Sequence, residues 1–300
     1  MTLLTIFTAP KPFEDPHISL IQRNAIQSWT HLGPEVDLIL MGKDTGVAET
    51  AAEFGAFHLP EVACNQKGVP YIGDMFRLAR QYSESPLLMI INADIVLFQD
   101  LLQAARYAYQ QFGAFVLAGQ RWDLDVTKPL DFSAGWEERL RAEISARGHL
   151  HRPSGSDYFL FSREVYQEIP NFTIGRAGWD NWMIHQAVTQ PWKAIDTTPA
   201  ITIVHQNHDY GHLPGGQKHF RHPESMRNVD LGGGSQKMYH LWDVPHVWAG
   251  GSMRRKPLTW LRLVRIAERW LQTEREISGF RRRALRAVRK YRKRLERDEK

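Results

Sequence analysis

Apolar residues along the first two hundred positions come in short runs, separated by stretches long enough for helices. Leu87-Leu88-Met89-Ile90-Ile91 places five apolar side chains in succession after Pro86, a pattern that suits a strand buried on both faces of a mostly parallel sheet. Strand patterns at 3–8, 36–41 and 57–59 alternate with a helical spacing of Ile18, Ile21, Ala25, Ile26 and Trp29 over 16–30 and a shorter helix over 45–54. This β-α-β-α-β rhythm predicts parallel strands joined by right-handed crossovers. Further strands are expected at 114–118, 158–161 and 201–204, and helices beyond Leu101 and over 181–189. Residues 123–150 are polar, charged and mostly helical in pattern, as an insertion over one edge of the sheet would be.

The polar residues that end these runs carry the candidate chemistry. Asn92-Ala93-Asp94 follows the Leu87 strand, and the carboxyl ends of such strands face the crevice where open α/β sheets bind ligands. A carboxylate there can hold a hard cation against a diphosphate, although Asn and Asp are also ordinary turn formers. Asp157 stands beside the next strand. Asp74 and Arg77 share a helix face, where Arg can neutralise phosphate and Asp can accept from a base or ribose; a plain solvated pair has the same spacing. Gly178-Trp179-Asp180 leads into a helix that also carries Trp182. An aspartate so placed serves as a helix cap without any catalytic part, whereas the two tryptophans offer flat faces on which sugar rings pack. After the 201–204 strand come His205, His208 and His212. A neutral imidazole is a good third ligand for Mn²⁺ or a general base. Glycines at Gly215, Gly216 and 232–234 suggest a loop closing over a ligand.

Composition narrows the class. With 43% hydrophobic and 11% aromatic residues the chain reads as globular. A single cysteine excludes an internal disulfide and suits a reducing compartment. The opening residues lack a basic segment and read as a first strand, not a signal peptide, and no apolar run approaches the length of a membrane span. The net charge of +5 divides unevenly: residues 251–300 hold 18 Lys and Arg against 6 Asp and Glu, while the other 250 hold 20 against 27. The body is therefore acidic, so no nucleic-acid partner is expected. The chain divides into a body over 1–250 and a basic, amphipathic helical tail over 251–300, in which Leu258, Leu261, Val264, Ile266, Trp270 and Leu271 form an apolar stripe. Such a tail is expected to hold a cytoplasmic body, folded without it, against the inner face of an anionic membrane.

Taken together, the strand ending in Asn92-Ala93-Asp94, the Gly178-Trp179-Asp180 turn and the late His205 resemble the GT-A family of nucleotide-sugar glycosyltransferases over residues 1–250. The resemblance implies a Rossmann-like, mostly parallel sheet flanked by helices, an Mn²⁺ or Mg²⁺ cofactor bound by Asp94 with His205 or His208, and Asp180 as general base if the anomeric centre inverts. It puts Pro10, Asp74, Arg77, Asn92 and Asp94 with the nucleotide-sugar donor, and Asp157, Trp179 and Trp182 with a glycan or lipid-linked acceptor. Asn92 departs from the family, which usually has Asp there. The rivals are a nucleotidyltransferase, which should carry a glycine-rich loop where this chain has Ala9-Pro10-Lys11-Pro12-Phe13, and a non-catalytic carbohydrate-binding protein.

Overall fold

The computed structural model describes residues 2–208, 222–249, 251–272 and 279–298. His212, Gly215 and Gly216 lie outside them. The first half runs β1 (Leu4–Thr8), α1 (Pro16–Thr30), β2 (Val36–Met41), α2 (Val47–Phe54), β3 (Phe57–Leu59), α3 (Ile72–Tyr82), β4 (Leu87–Ile91), β5 (Ile95–Leu97), α4 (Gln99–Gln111), β6 (Phe115–Ala118), β7 (Trp122–Leu124) and α5 (Trp136–Arg147). There follow β8 (His149–Leu150), β9 (Tyr158–Ser162), α6 (Trp179–Thr189), β10 (Lys193–Asp196), β11 (Ile203–Gln206), α7 (Pro223–Leu231), β12 (His246–Ala249), β13 (Ser252–Arg255), α8 (Trp260–Leu271) and α9 (Gly279–Asp298).

Nine strands form one twisted sheet in the order β13-β12-β10-β6-β9-β4-β1-β2-β3. All run the same way except β9 and β13. The fold is thus α/β with a mostly parallel central sheet flanked by helices, as the alternation of patterns predicted. Both faces are covered. Along β4, Leu87, Met89 and Ile91 enter the core on one side while Leu88 and Ile90 enter the core on the other. Because all five are fully buried, each contributes about 1.5–3 kcal/mol of hydrophobic stabilisation. The chain leaves β1 toward β2 on one side and later returns to β4 on the other, so the crevice between these two strand ends is the place where such sheets bind ligands.

A second sheet, β5-β11-β7-β8, was not anticipated from the sequence. Of its strands only β11 was expected, at 201–204 and so two residues before its observed place; the others, two or three residues long, are too short for a period-2 pattern to stand out. Helix α1 fastens it. Asp15 caps that helix by accepting from the N–H groups of His17 and Ile18, with Pro16 following as first residue. On the buried face the Ser28 hydroxyl accepts from Leu97 N (3.0 Å) and Trp29 Nε1 donates to Ile95 O (2.8 Å). Edge groups of β5 are thereby satisfied by side chains, which fixes the segment immediately after Asp94.

The central sheet runs past residue 250. β12 and β13 pair as a hairpin and extend the central sheet as far as Arg255, so a boundary at residue 250 would cut through it. Nor does the body stand apart from the tail. In α8, Arg265 donates to Asp243 (2.7 Å) and Glu268 (3.0 Å), Arg269 also pairs with Asp243, and Arg289 and Arg292 of α9 reach Glu268 at 3.1 and 2.8 Å. Asp243, Arg265 and Glu268 are all buried. Removing one partner of such a group leaves uncompensated charge in a poorly solvated place. Arg265→Ala should therefore destabilise the protein by about 3 kcal/mol in chemical denaturation; a change near zero would mean that the tail is not docked through this pair.

Candidate active site

The register of the small sheet assembles a cluster that the linear sequence scatters. In β11, His205 lies opposite Ile95 of β5 on one side and Asp123 of β7 on the other. Asp94 directly precedes Ile95, so the pairing brings Asp94, His205 and Asp123 into one row. Asp94 Oδ2 is 3.1 Å from His208 Nε2 and 3.7 Å from His205 Nε2. The ligating atoms of Asp94, His205 and His208 all lie within 4.8 Å of one another.

Around this trio the environment selects protonation states. His205 Nδ1 lies 3.2 Å from Asp123 Oδ1, and Nε2 is the ring nitrogen turned toward Asp94. Asp123 also faces His151 Nδ1 (2.7 Å) and accepts from Arg121 Nε (2.8 Å). Burial acts to raise the Asp123 carboxyl, but hydrogen bonds with His151 and His205 and the Arg121 charge outweigh it and hold the group far below the usual carboxylate range. Asp94 behaves alike: burial opposes its charge, yet the His208 hydrogen bond and the charges of His205, His208 and Lys11 keep it well below normal. Asp94 Oδ1 is buried with no hydrogen-bond partner among the described residues. An orphaned carboxylate oxygen beside two imidazole nitrogens is a donor set that fits a divalent cation, the oxygen suiting Mg²⁺ or Mn²⁺ and the imidazoles Mn²⁺ and later transition metals.

A second polar network anchors the backbone of this cluster. Gln206, fully buried, donates from Nε2 to Ile21 O (2.7 Å) and Asp94 O (3.1 Å) and accepts from Asn24 (2.9 Å). Gln22 clamps the main chain of Lys11 from both sides, accepting from its N–H (2.7 Å) and donating to its carbonyl (2.9 Å). The β1 loop and the Asp94 loop are thus both referenced to α1.

These loops enclose a cavity of about 860 Å³, within the range of ligand sites. Thr8 to Pro12, Asn92 to Asp94, His205 and His208 line it, and Asp157, Trp179 and Asp180 stand on its wall. Asp180 sits in the first turn of α6 behind the αL residue Gly178. A methyl group at Gly155 would lie 2.1 Å from Asp180 Oδ2, so only glycine leaves room for this carboxylate. Burial is the main influence that raises the Asp180 carboxyl to about 6; the Asp157 charge adds to it, and the neighbouring N–H of Asn181 opposes it. A carboxylate poised there is a competent base near neutral pH.

The fold brings Pro10, Asn92, Asp94, Asp157, Trp179, Asp180, His205 and His208 to one cavity, and leaves Asp74, Arg77 and Trp182 out of it. Asp74 accepts from Arg77 Nε (2.7 Å) and Ala63 N (2.7 Å) and faces a separate groove, so this pair ties the segment before α3 to the helix. Trp182 is buried edge-on against Phe172, with ring centroids 5.2 Å apart, and offers no face to a sugar. Trp179 lines the cavity yet is only 5% exposed, its ring against Phe159. Asn92 and Asp157 are occupied with each other: Asn92 Nδ2 donates to Asp157 Oδ1 (2.8 Å), which also accepts from Arg121 (2.6 Å). Asp157 is therefore joined to the Asp94 side through Arg121 and Asn92. Asp123, Arg121 and His151 were not singled out from the sequence. Their signal was present, since Asp123 follows the 114–118 strand as Asp94 follows 87–91, but the charged run after it hid the short strand β7.

No protein-family model matches the sequence, and no curated protein does. Among solved structures the chain is similar to S. aureus TarS 1–349 in complex with UDP-GlcNAc, at 8% identity and a TM-score of 0.46 over 77% of this chain and 66% of that one. It is also similar to the mannosyltransferase PcManGT from Pyrobaculum calidifontis in complex with GDP-Man and Mn²⁺, at 14% identity and a TM-score of 0.43 over 69% and 58%. A third neighbour is glucosyl-3-phosphoglycerate synthase from Mycobacterium tuberculosis in complex with Mn²⁺, UDP and phosphoglyceric acid, at 14% identity and a TM-score of 0.46 over 77% of each chain. The match spans less than two thirds of the length of the first two.

Proposed function

We propose that this protein transfers a hexosyl or related sugar from a nucleotide-sugar donor to a hydroxyl group of a glycan or lipid-linked acceptor. The observation that carries the reading is the single cavity at the β1/β4 switch, which has the Asp94, His205 and His208 donors on its wall together with Asp180, a carboxylate raised to about 6. A divalent ion held by those three side chains would supply positive charge to the leaving diphosphate. The remaining work falls to the chain itself. The loop from Thr8 to Pro12, fixed by Gln22, lines the cavity on the donor side. Asp123 stands beside His205 Nδ1, on the side of the ring away from Asp94. In an inverting displacement Asp180 accepts the proton of the acceptor hydroxyl as the oxygen attacks the anomeric carbon. Lys67 and Arg176 also line the cavity and add positive charge to its wall.

The rival readings fit less well. The loop after β1, with no glycine from Ala9 to Phe13, lacks the phosphate-cradling backbone that nucleotidyl transfer calls for. A binding module needs no carboxylate raised toward neutrality and no metal-ligating trio. Thermal unfolding in the presence of UDP, GDP, CMP or their sugars, each with and without Mn²⁺, tests the proposal. One nucleoside diphosphate should raise the midpoint only when Mn²⁺ or Mg²⁺ is present, by several degrees at saturating ligand. Indifference to every nucleotide under both conditions would overturn it.

A further inference from the structure

Helix α8 reverses the usual distribution of a surface helix. Its inward side carries Leu261 and Val264 but also the buried Arg265 and Glu268, whereas Trp260, Leu263, Ile266 and Trp270, spaced by three and four residues, all face outward. Trp270 is 76% exposed, Trp260 60%, and Leu258, just before the helix, 64%. Helix α9 packs beside α8 without covering this stripe: Trp260 Nε1 donates to the Tyr291 hydroxyl (2.8 Å), and Arg281 donates to Trp270 O (2.8 Å). It extends the stripe with Tyr291 and with Phe280, 86% exposed. Alongside, Arg282, Arg283, Arg286, Lys290, Lys293 and Arg294 all project into solvent. No helix among the described residues is long and apolar enough to cross a membrane.

We propose that this face docks in the plane of an anionic lipid bilayer, with the indole and phenyl rings at the level of the headgroup–acyl boundary and the basic row of α9 over the lipid phosphates. Aromatic side chains suit that boundary because one part of the ring system is apolar and the other tolerates water. Each nearby Lys or Arg adds attraction to an anionic surface. A second copy of the chain fits poorly, because the face would have to approach its own row of positive charge. An acidic polymer alone would leave the apolar stripe in water. The docking elements are also tied to the cavity: His240 lines it, and Asp243, three residues on, is gripped by Arg265 and Arg269 of α8. Lipid contact thus holds the cavity wall near the bilayer, where a lipid-linked acceptor hydroxyl is presented. The proposal does not rest on the donor reading, since no residue of the face lines the cavity.

Sedimentation of the full chain with phosphatidylcholine vesicles, and with vesicles that also contain phosphatidylglycerol, tests it. Binding is expected only to the anionic vesicles and should weaken as salt is raised. The triple variant Leu258→Ser, Trp270→Ser, Phe280→Ser should lose more than about tenfold of that binding, and Arg282→Glu with Arg283→Glu and Lys290→Glu should lose about as much. All six side chains are exposed, so wild-type melting is expected; should the apolar variant fold badly, the charge variant decides alone. Indifference of the full chain to anionic vesicles at low salt, wild-type binding by the folded variants, or a concentration-dependent dimer that the apolar variant abolishes would overturn the proposal. Melting shifts with nucleotide and Mn²⁺, measured on the same samples, separate its failure from failure of the glycosyl-transfer reading.

Discussion

Replacing Asp94 by alanine should abolish the metal-dependent stabilisation by nucleotide while leaving the fold intact. Its carboxylate is the one oxygen ligand in the trio with His205 and His208. Without it the two imidazoles face each other across the gap, and no anionic charge remains among the three to hold a hard cation. Loss of one ligand and its charge should weaken the ion by at least two orders of magnitude, by comparison with the 10–100-fold lost when only an outer partner of a ligand is removed. The fold should survive because the backbone of Asp94 is held independently, its carbonyl accepting from Gln206 Nε2. The informative measurement is the melting midpoint with nucleoside diphosphate across an Mn²⁺ series, with Asp123→Asn as a companion. The asparagine variant should keep some affinity, since it loosens His205, His151 and Arg121 but removes none of the three ligands. A nucleotide response in Asp94→Ala equal to wild type would remove the metal from the proposed chemistry.

Asp180→Asn should cut turnover by about 10² to 10⁴, the range for loss of a general base, with donor affinity nearly unchanged. The pH dependence adds a signature that a structural part would not give. Because burial raises this carboxyl to about 6, the group is protonated and inactive below that pH and ionised above it. The kcat/KM profile should therefore fall on its acid side with a midpoint near 6, and the limb should vanish in the asparagine variant's residual activity. The stability sign runs the other way. A folded-state value above that of the unfolded chain means that the native protein holds this proton more tightly, so stability falls as pH rises from the ordinary carboxylate range to about 6 and the buried charge stays a cost above it. Asp180→Asn should accordingly stabilise the fold at neutral pH while it impairs turnover. Destabilisation, together with an equal loss of donor binding, would make the residue a helix cap and nothing more.

Much of the fold was legible because both of its periodic signals are local. The helix over 16–30 and the strands over 36–41, 57–59 and 87–91 were read at their observed limits, since a run of apolar residues between turn formers, or one apolar helix stripe, is written directly into residue order. Asp94 stands at the change from an apolar run to a polar turn, whereas Asp180 was singled out at the head of a helix after Gly178 and Trp179; both line the cavity. Asp74, Arg77 and Trp182 lie outside the cavity, because residue type and spacing give the face of a helix but not what that face meets. Arg77 meets Asp74 and solvent, and Trp182 meets Phe172.

By itself, then, the sequence determined the alternation of elements, the buried β4 strand with its terminal carboxylate, and the concentration of positive charge in the last fifty residues. Only the tertiary structure decided that His205 stands between Asp94 and Asp123, because the antiparallel β5–β11 and parallel β11–β7 registers join segments some eighty to a hundred and ten positions apart. Only the tertiary structure decided, too, which side of α8 is inside. The sequence grouped Leu258, Leu261, Val264, Ile266, Trp270 and Leu271 in one stripe facing a membrane; the structure divides it, with Leu261 and Val264 inward beside Arg265, which Asp243 of a short 3-10 turn draws in, and Leu258, Ile266 and Trp270 outward. A buried ion pair needs its counter-charge in place, and no local pattern carries the position of a partner twenty-two residues away in sequence.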